Sequence, residues 1–189
     1  MNAITVNKPQ LPDPAAYRQP EMEPGRDAWE LVKQVWMTEG PGHIILPVDP
    51  VSISRRMGIE VFKDDDLPLD VAGIIRKETD FKNPEIFLNE GDPYDRRRFT
   101  CAHALGRYCR NEEVGKEGVW EIVKRRDFFA VPIGDTDEVY ATEFAAEMLM
   151  PRAVFREIRD SRSVAAFAAM FGVTADVMRF RLDQIGWNR

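Results

Sequence analysis

The order of the periodic segments along the chain constrains the fold more than any other feature. Three short apolar runs of strand-like character, at residues 59–62, 71–76 and 85–89, lie close together. The longer periodic segments that follow, 93–109 and 136–150, have helical spacing, and residues 152–189 contain two or three shorter helical patterns. A later run at 128–133 is compatible with a strand. Strands clustered early and helices later predict an α+β fold.

Two more helices are predicted before the first strand. Residues 27–37 have apolar side chains three and four positions apart, and residues 50–57 begin with Asp49 as a capping residue and Pro50 at the first helical position. Residues 1–25 contain five of the thirteen prolines, which predicts a flexible N-terminal arm. We therefore expect an arm over 1–25, a main domain over 26–151 and a C-terminal helical subdomain over 152–189.

Charge and cysteine content exclude several classes of protein. The chain has 26 basic and 32 acidic residues, a net charge of −6, so an overall positive charge cannot drive nucleic-acid binding, although a local basic patch remains possible. Two cysteines are too few for a disulfide framework, which predicts a reduced, cytoplasmic protein. We expect no membrane association, because no apolar run approaches the ~20 residues of a membrane span and the first residues do not resemble a signal peptide.

The segment at residues 98–108 contains one of the chain's two histidines, His103. A working zinc peptidase helix reads His-Glu-x-x-His, because one helical turn brings both imidazoles to one metal and the glutamate activates a bound water. The corresponding residues here are His103, Ala104 and Arg107. The first ligand type is present, while alanine and arginine stand where the base and the second ligand would be.

Four segments together resemble the ImmA/IrrE family of zincin-like metallopeptidases over residues 47–187. They are 47–50 with 57–61, then 72–75 with 86–89, then 98–103, and finally 138–151, in the family's order. The resemblance implies a zincin-like fold of the gluzincin type, in which a small three-stranded sheet packs on helices and a C-terminal helical unit follows. The main domain, 26–151, would then be the zincin-like part.

The resemblance assigns positions in the degenerate motif. His103 falls on the first zinc ligand, Ala104 on the catalytic glutamate, Arg107 on the second ligand and Glu138 on the third. We expect no catalytic residue and no bound metal, because a guanidinium repels a cation and cannot become a ligand. Arg107 is expected to form an ion pair with Glu138 beside His103. The old substrate cleft would be lined by His103, Ala104, Arg107, Tyr108, Glu138, Ala141 and Thr142.

The resemblance also implies a function. The chain is expected to be a catalytically degenerate pseudo-metallopeptidase that acts as a regulatory protein-binding module in phage or mobile-element immunity or in a toxin–antitoxin pair. Its expected partner is a helix-turn-helix repressor or a toxin or antitoxin, and no cofactor is expected. A first alternative is a residual zinc endopeptidase that cleaves such a repressor, for which zinc would be the cofactor.

A second alternative is DNA binding through the C-terminal helices. Residues 152–189 contain seven arginines and four acidic residues, and a glycine followed by a capping threonine separates two helical patterns, as in a helix-turn-helix. Arg179 and Arg181 are the candidates for phosphate contacts. Because such helical pairs also close ImmA/IrrE-like proteins by packing on the main domain, DNA is the less favoured partner.

Overall fold

The computed structural model describes residues 23–37, 44–79, 82–113, 115, 118–126, 135–158 and 163–187. The helices are α1 (Pro24–Leu31, continued by a π-helical turn at Val32–Trp36), α2 (Pro50–Arg56), α3 (Tyr94–Glu113), α4 (Thr136–Leu149), α5 (Arg152–Glu157), α6 (Val164–Phe171) and α7 (Ala175–Gln184). The strands are β1 (Glu60–Asp64), β2 (Val71–Lys77), β3 (Glu85–Asn89) and β4 (Trp120–Arg125). The α+β prediction is confirmed.

The strands form one mixed sheet in the order β1-β3-β2-β4. Strand β1 pairs with β3 in parallel, whereas β2 pairs antiparallel with both β3 and β4. The prediction of three strands is therefore wrong by one, because β4 was not recognised. The strand predicted at 128–133 lies outside the described residues.

Helix α3 lies between the sheet and α4, and its buried face forms the centre of the hydrophobic core. Phe99, Ala102 and Leu105 are all at most 3% exposed. A Cβ atom at Gly106 would lie 3.1 Å from the Cα of Ala141 and from the Cβ of Phe144. A glycine is thus needed where α3 and α4 approach each other, and this close approach positions the candidate site.

Side-chain caps fix the starts of the helices that frame the site. Asp49 accepts a hydrogen bond from the Val51 amide at 3.1 Å, as predicted for α2. Helix α4 is capped by Asp135, which accepts a hydrogen bond from the Glu138 amide at 2.9 Å.

The C-terminal helices are tied to the main domain by buried arginines. Arg98 of α3 is 2% exposed and donates to the carbonyls of Val48, Phe171 and Gly172, the last at 2.9 Å. Gly172 has φ +64°, and this left-handed conformation ends α6 before the turn to α7.

The N-terminal arm was predicted over residues 1–25. Its residues up to position 22 lie outside the described part of the chain, and helix α1 already begins at Pro24.

No helix in the described part of the chain is long and apolar enough to cross a membrane.

Candidate functional site

Helix α3 places His103 and Arg107 on the face that packs toward α4. The two residues are four positions apart, so their side chains leave the helix on the same side. The His103 side chain is 1% exposed and that of Arg107 is 15% exposed. A histidine and an arginine this deeply buried need polar partners, which the start of α4 supplies.

Glu138 in the first turn of α4 lies directly opposite His103. The distance between His103 Nε2 and Glu138 Oε1 is 3.1 Å. Asp135 accepts a hydrogen bond from the Glu138 amide, so the cap that starts the helix also sets the direction of the glutamate. The structure thus brings together the two residues that the resemblance assigns to the first and third ligand positions.

Lys124 of β4 is the third member of this cluster, and the sequence did not point to it. Its Nζ donates to the same Glu138 oxygen that faces His103, and its side chain is only 11% exposed. Trp120, Ile122 and Lys124 alternate along β4 toward the core side, whereas Glu121, Val123 and Arg125 are exposed. This alternation is the signal that would have placed a lysine inside, had β4 been recognised as a strand.

Burial and the charges of neighbouring groups both shift the pKa values of His103 and Glu138. Burial lowers the pKa of His103, against the opposing effect of Glu138 and with a further contribution from Lys124. Burial alone would raise the pKa of Glu138, but His103 and Lys124 beside it lower that pKa to about 2. The ammonium of Lys124 thus places a positive charge directly beside the Glu138 carboxylate.

Arg107 does not form the expected ion pair with Glu138. Its Nη1 lies 3.6 Å from Asp135 Oδ1 instead, while Glu138 is already engaged by Lys124. Position 107 is one helical turn beyond His103, and the residue opposite it is the cap of α4. Among the described residues, the buried Nε and Nη1 of Arg107, both ring nitrogens of His103 and Oγ1 of Thr142 lack a hydrogen-bond partner of good geometry.

The residues expected to line an open cleft are mostly inside the protein. Ala141 is fully buried, and Ala104, Tyr108 and Thr142 are 5%, 6% and 7% exposed. Tyr108 packs its ring against Trp120 with the centroids 6.5 Å apart. Most of the seven residues predicted to line the cleft are thus shielded where α3 packs on α4, which argues against an open docking surface there, and their role in binding stays a prediction.

The side chains present do not fit a catalytic zinc ion. Such a site needs three protein ligands and a water, and His103 and Glu138 supply two donor atoms. Within the described ranges, the one group of three potential metal ligands is Asp64, Asp65 and Asp66, at the end of β1 and in the loop that follows. At the candidate site, the ammonium of Lys124 contacts the carboxylate oxygen that a metal would need, and Arg107 adds a second positive charge.

The two arginines proposed for phosphate contacts lie in different environments. Arg179 is exposed and pairs with Asp176 at 2.6 Å on the same helix. Arg181 is 1% exposed, donates to the Met150 carbonyl at 2.9 Å and forms a buried ion pair with Glu147. The prediction that Arg181 contacts nucleic acid is wrong, because its guanidinium joins α7 to the end of α4.

Comparisons with known proteins agree with this architecture. A peptidase family model, that of the IrrE N-terminal-like domain, matches residues 55–183, which is more than half of the chain. A solved structure of a Mycobacterium tuberculosis transcriptional regulator is similar with a TM-score of 0.54 and 20% sequence identity, over 84% of this chain and 46% of that one. This chain thus spans less than half of the regulator's length, and a likeness at this identity shows a shared fold. No curated protein matches the chain.

Proposed function

Because the chain belongs to the family of the IrrE N-terminal-like domain, we propose that it is a catalytically inactive member that regulates by binding another protein. The proposal rests on which residues stand at the positions of the family's metal site. Alanine stands at the position of the base, arginine at that of a ligand, and Lys124 contacts the remaining carboxylate. A peptidase without metal and base loses its nucleophile and its proton acceptor together.

The regulatory setting is proposed from the family and from the shared fold with a protein named as a transcriptional regulator. In this setting the partner is a helix-turn-helix repressor, or the other member of a toxin–antitoxin pair. We place this partner outside the old cleft, because most of the residues that line it are shielded where α3 packs on α4.

The outer face of the sheet offers apolar surface for this binding. Phe62, Phe87, Ile74 and Val123 lie opposite one another in register, one from each strand. Phe62 and Val123 are 41% and 40% exposed at the two ends of this row. The rings of Phe62 and Phe87 stack with centroids 5.4 Å apart. A row of apolar side chains on an open sheet face is typical of a protein-binding surface.

The charges beside this row indicate the chemistry of the partner. The next row on the same face of the sheet, two residues along each strand, consists of Glu60, Glu85, Arg76 and Glu121. The whole chain is also acidic, with a net charge of −6. A partner segment that combines apolar and basic side chains complements this face. Repressors that bind DNA carry such positive charge because they neutralise phosphates.

The proposal is tested with the product of any neighbouring gene that encodes a helix-turn-helix repressor or a toxin or antitoxin. The two purified proteins are mixed with and without added zinc and with a chelator, and binding is measured by calorimetry while the partner's length is followed by electrophoresis. We expect a complex in which the partner stays intact under all three conditions. Chelator-sensitive cleavage of the partner would contradict the proposal and support a residual zinc endopeptidase.

The binding face is tested by Phe62→Lys with Ile45→Lys as the matched control. Phe62 is at the edge of the sheet, whereas Ile45, 60% exposed, precedes α2 and belongs to no strand. We expect Phe62→Lys to weaken the complex at least about tenfold, since it removes a ring and adds a charge like that of the partner. An equal effect of both variants, or none, would place the interface elsewhere.

A further inference from the structure

We propose that Lys124 occupies the position and the electrostatic role of the zinc ion in this chain. In a zinc peptidase of this type, the metal holds the histidine of one helix and the glutamate of another on a single positive centre. Here the Lys124 ammonium contacts Glu138, which in turn faces His103. In this chain the ammonium group of a lysine side chain thus takes the place of a bound metal cation.

The geometry around Glu138 carries this inference. Two nitrogen atoms from two different elements lie close to the single atom Glu138 Oε1: His103 Nε2 of α3, at 3.1 Å, and Lys124 Nζ of β4, which donates a hydrogen bond to it. All three side chains are shielded from solvent, with exposures of 1%, 11% and 14% for His103, Lys124 and Glu138. A divalent cation and an ammonium cannot both occupy the immediate surroundings of this oxygen.

Arg107 does not perform this role, although it stands at a former ligand position. Its guanidinium is directed to Asp135, 3.6 Å away. The loss of the ligand at 107 and the gain of the cation at 124 are thus separate changes on separate elements. Each of them alone is sufficient to weaken zinc binding, the first by removing a donor and the second by occupying the remaining carboxylate.

It follows that restoring the histidine at position 107 does not by itself restore a zinc site. We expect Arg107→His to bind zinc weakly, because Lys124 still holds Glu138. Removing the ammonium as well, in Arg107→His combined with Lys124→Met, leaves two imidazoles and a free carboxylate around one point. Methionine keeps the length and the apolar stem of the lysine side chain, which protects the packing of β4.

The experiment is a titration of zinc chloride into four forms of the full chain, followed by calorimetry. The forms are the unaltered chain, Arg107→His, the combination with Lys124→Met, and a matched combination with Lys63→Met. Lys63 is an exposed lysine of β1 that faces Glu90 at 3.5 Å. We expect one zinc per chain only in the Lys124→Met combination, with an affinity at least about 100-fold above that of Arg107→His alone.

Two outcomes would overturn the inference. One is equal zinc affinity of Arg107→His with and without Lys124→Met. The other is the absence of tight binding in the combination when far-ultraviolet circular dichroism shows that it is folded. Lys124→Leu in the same background repeats the comparison without a thioether, so that binding through the methionine sulfur is recognised.

The inference rests on the proposed function in one respect, that the unaltered chain does not bind zinc. Stoichiometric zinc in the unaltered chain would contradict both. Equal affinity of the two Arg107→His forms would contradict the role of Lys124 and leave the proposed function intact.

Discussion

At the scale of single residues, Glu138 is the centre of the site. Its carboxylate faces His103 and Lys124, and its amide donates to Asp135. A buried carboxylate that is paired with a cation stabilises the fold as long as it is ionised. The contacts of Glu138 also connect α3, β4 and α4 at one point. The single residue therefore makes a testable contribution to the pH dependence of stability.

The free energy of unfolding is expected to fall in acid because of Glu138. Its pKa is lowered from 4.5 to about 2 in the folded chain, so its stabilising contribution is complete above pH 4.5 and is lost as the pH falls toward 2. Glu138→Gln should cost about 2 kcal/mol at pH 7 and much less near pH 2.5, as measured by urea unfolding. Glu143→Gln on the same helix is the control, and a difference between wild type and Glu138→Gln that is constant across this range would contradict the assignment.

At the scale of elements, the sequence was informative where local signals dominate. Asp49 and Pro50 indicate α2 because capping is a property of a few neighbouring residues, and the pairing of His103 with Glu138 follows from the order of family segments. Strand β4 was missed because its formation depends on antiparallel pairing with the distant β2 and not on its own sequence. Because β4 was not predicted, Lys124 was not recognised as a buried residue. Arg107 was therefore predicted to form the ion pair with Glu138 that Lys124 forms in the structure.

Helix α3 also determines how the C-terminal helices are held. Arg98→Met removes the donors for the carbonyls of Val48, Phe171 and Gly172, which are left without partners in a buried region. We expect a loss of about 2–4 kcal/mol in the free energy of unfolding, measured by denaturant titration. Arg96→Met, at a half-exposed arginine that lies 3.6 Å from Asp92, should cost less than about 1 kcal/mol. Similar losses in both variants would show that Arg98 does not have this structural role.

At the scale of the whole molecule, the chain has the architecture of the family of the IrrE N-terminal-like domain, and the proposed function assigns partner binding to its outer surface. The cluster of His103, Glu138 and Lys124 is largely buried between α3, α4 and β4. Arg181 was predicted from the sequence to contact DNA. In the structure its guanidinium donates to the Met150 carbonyl and pairs with Glu147, and so connects α7 to the end of α4. The exposed apolar row on the sheet is on the opposite side of the sheet from this core. This arrangement supports the proposed function, in which the chain binds a partner through its outer surface and the buried cluster needs no access from solvent.

The most direct test of the central claim is a zinc titration of the unaltered chain after treatment with a chelator. We predict no saturable binding of one zinc per chain, because Lys124 and Arg107 carry the positive charge of the site and only two donor atoms, from His103 and Glu138, lie there. Calorimetry that shows one zinc per chain with a Kd below about 1 µM, lost in His103→Ala, would contradict it.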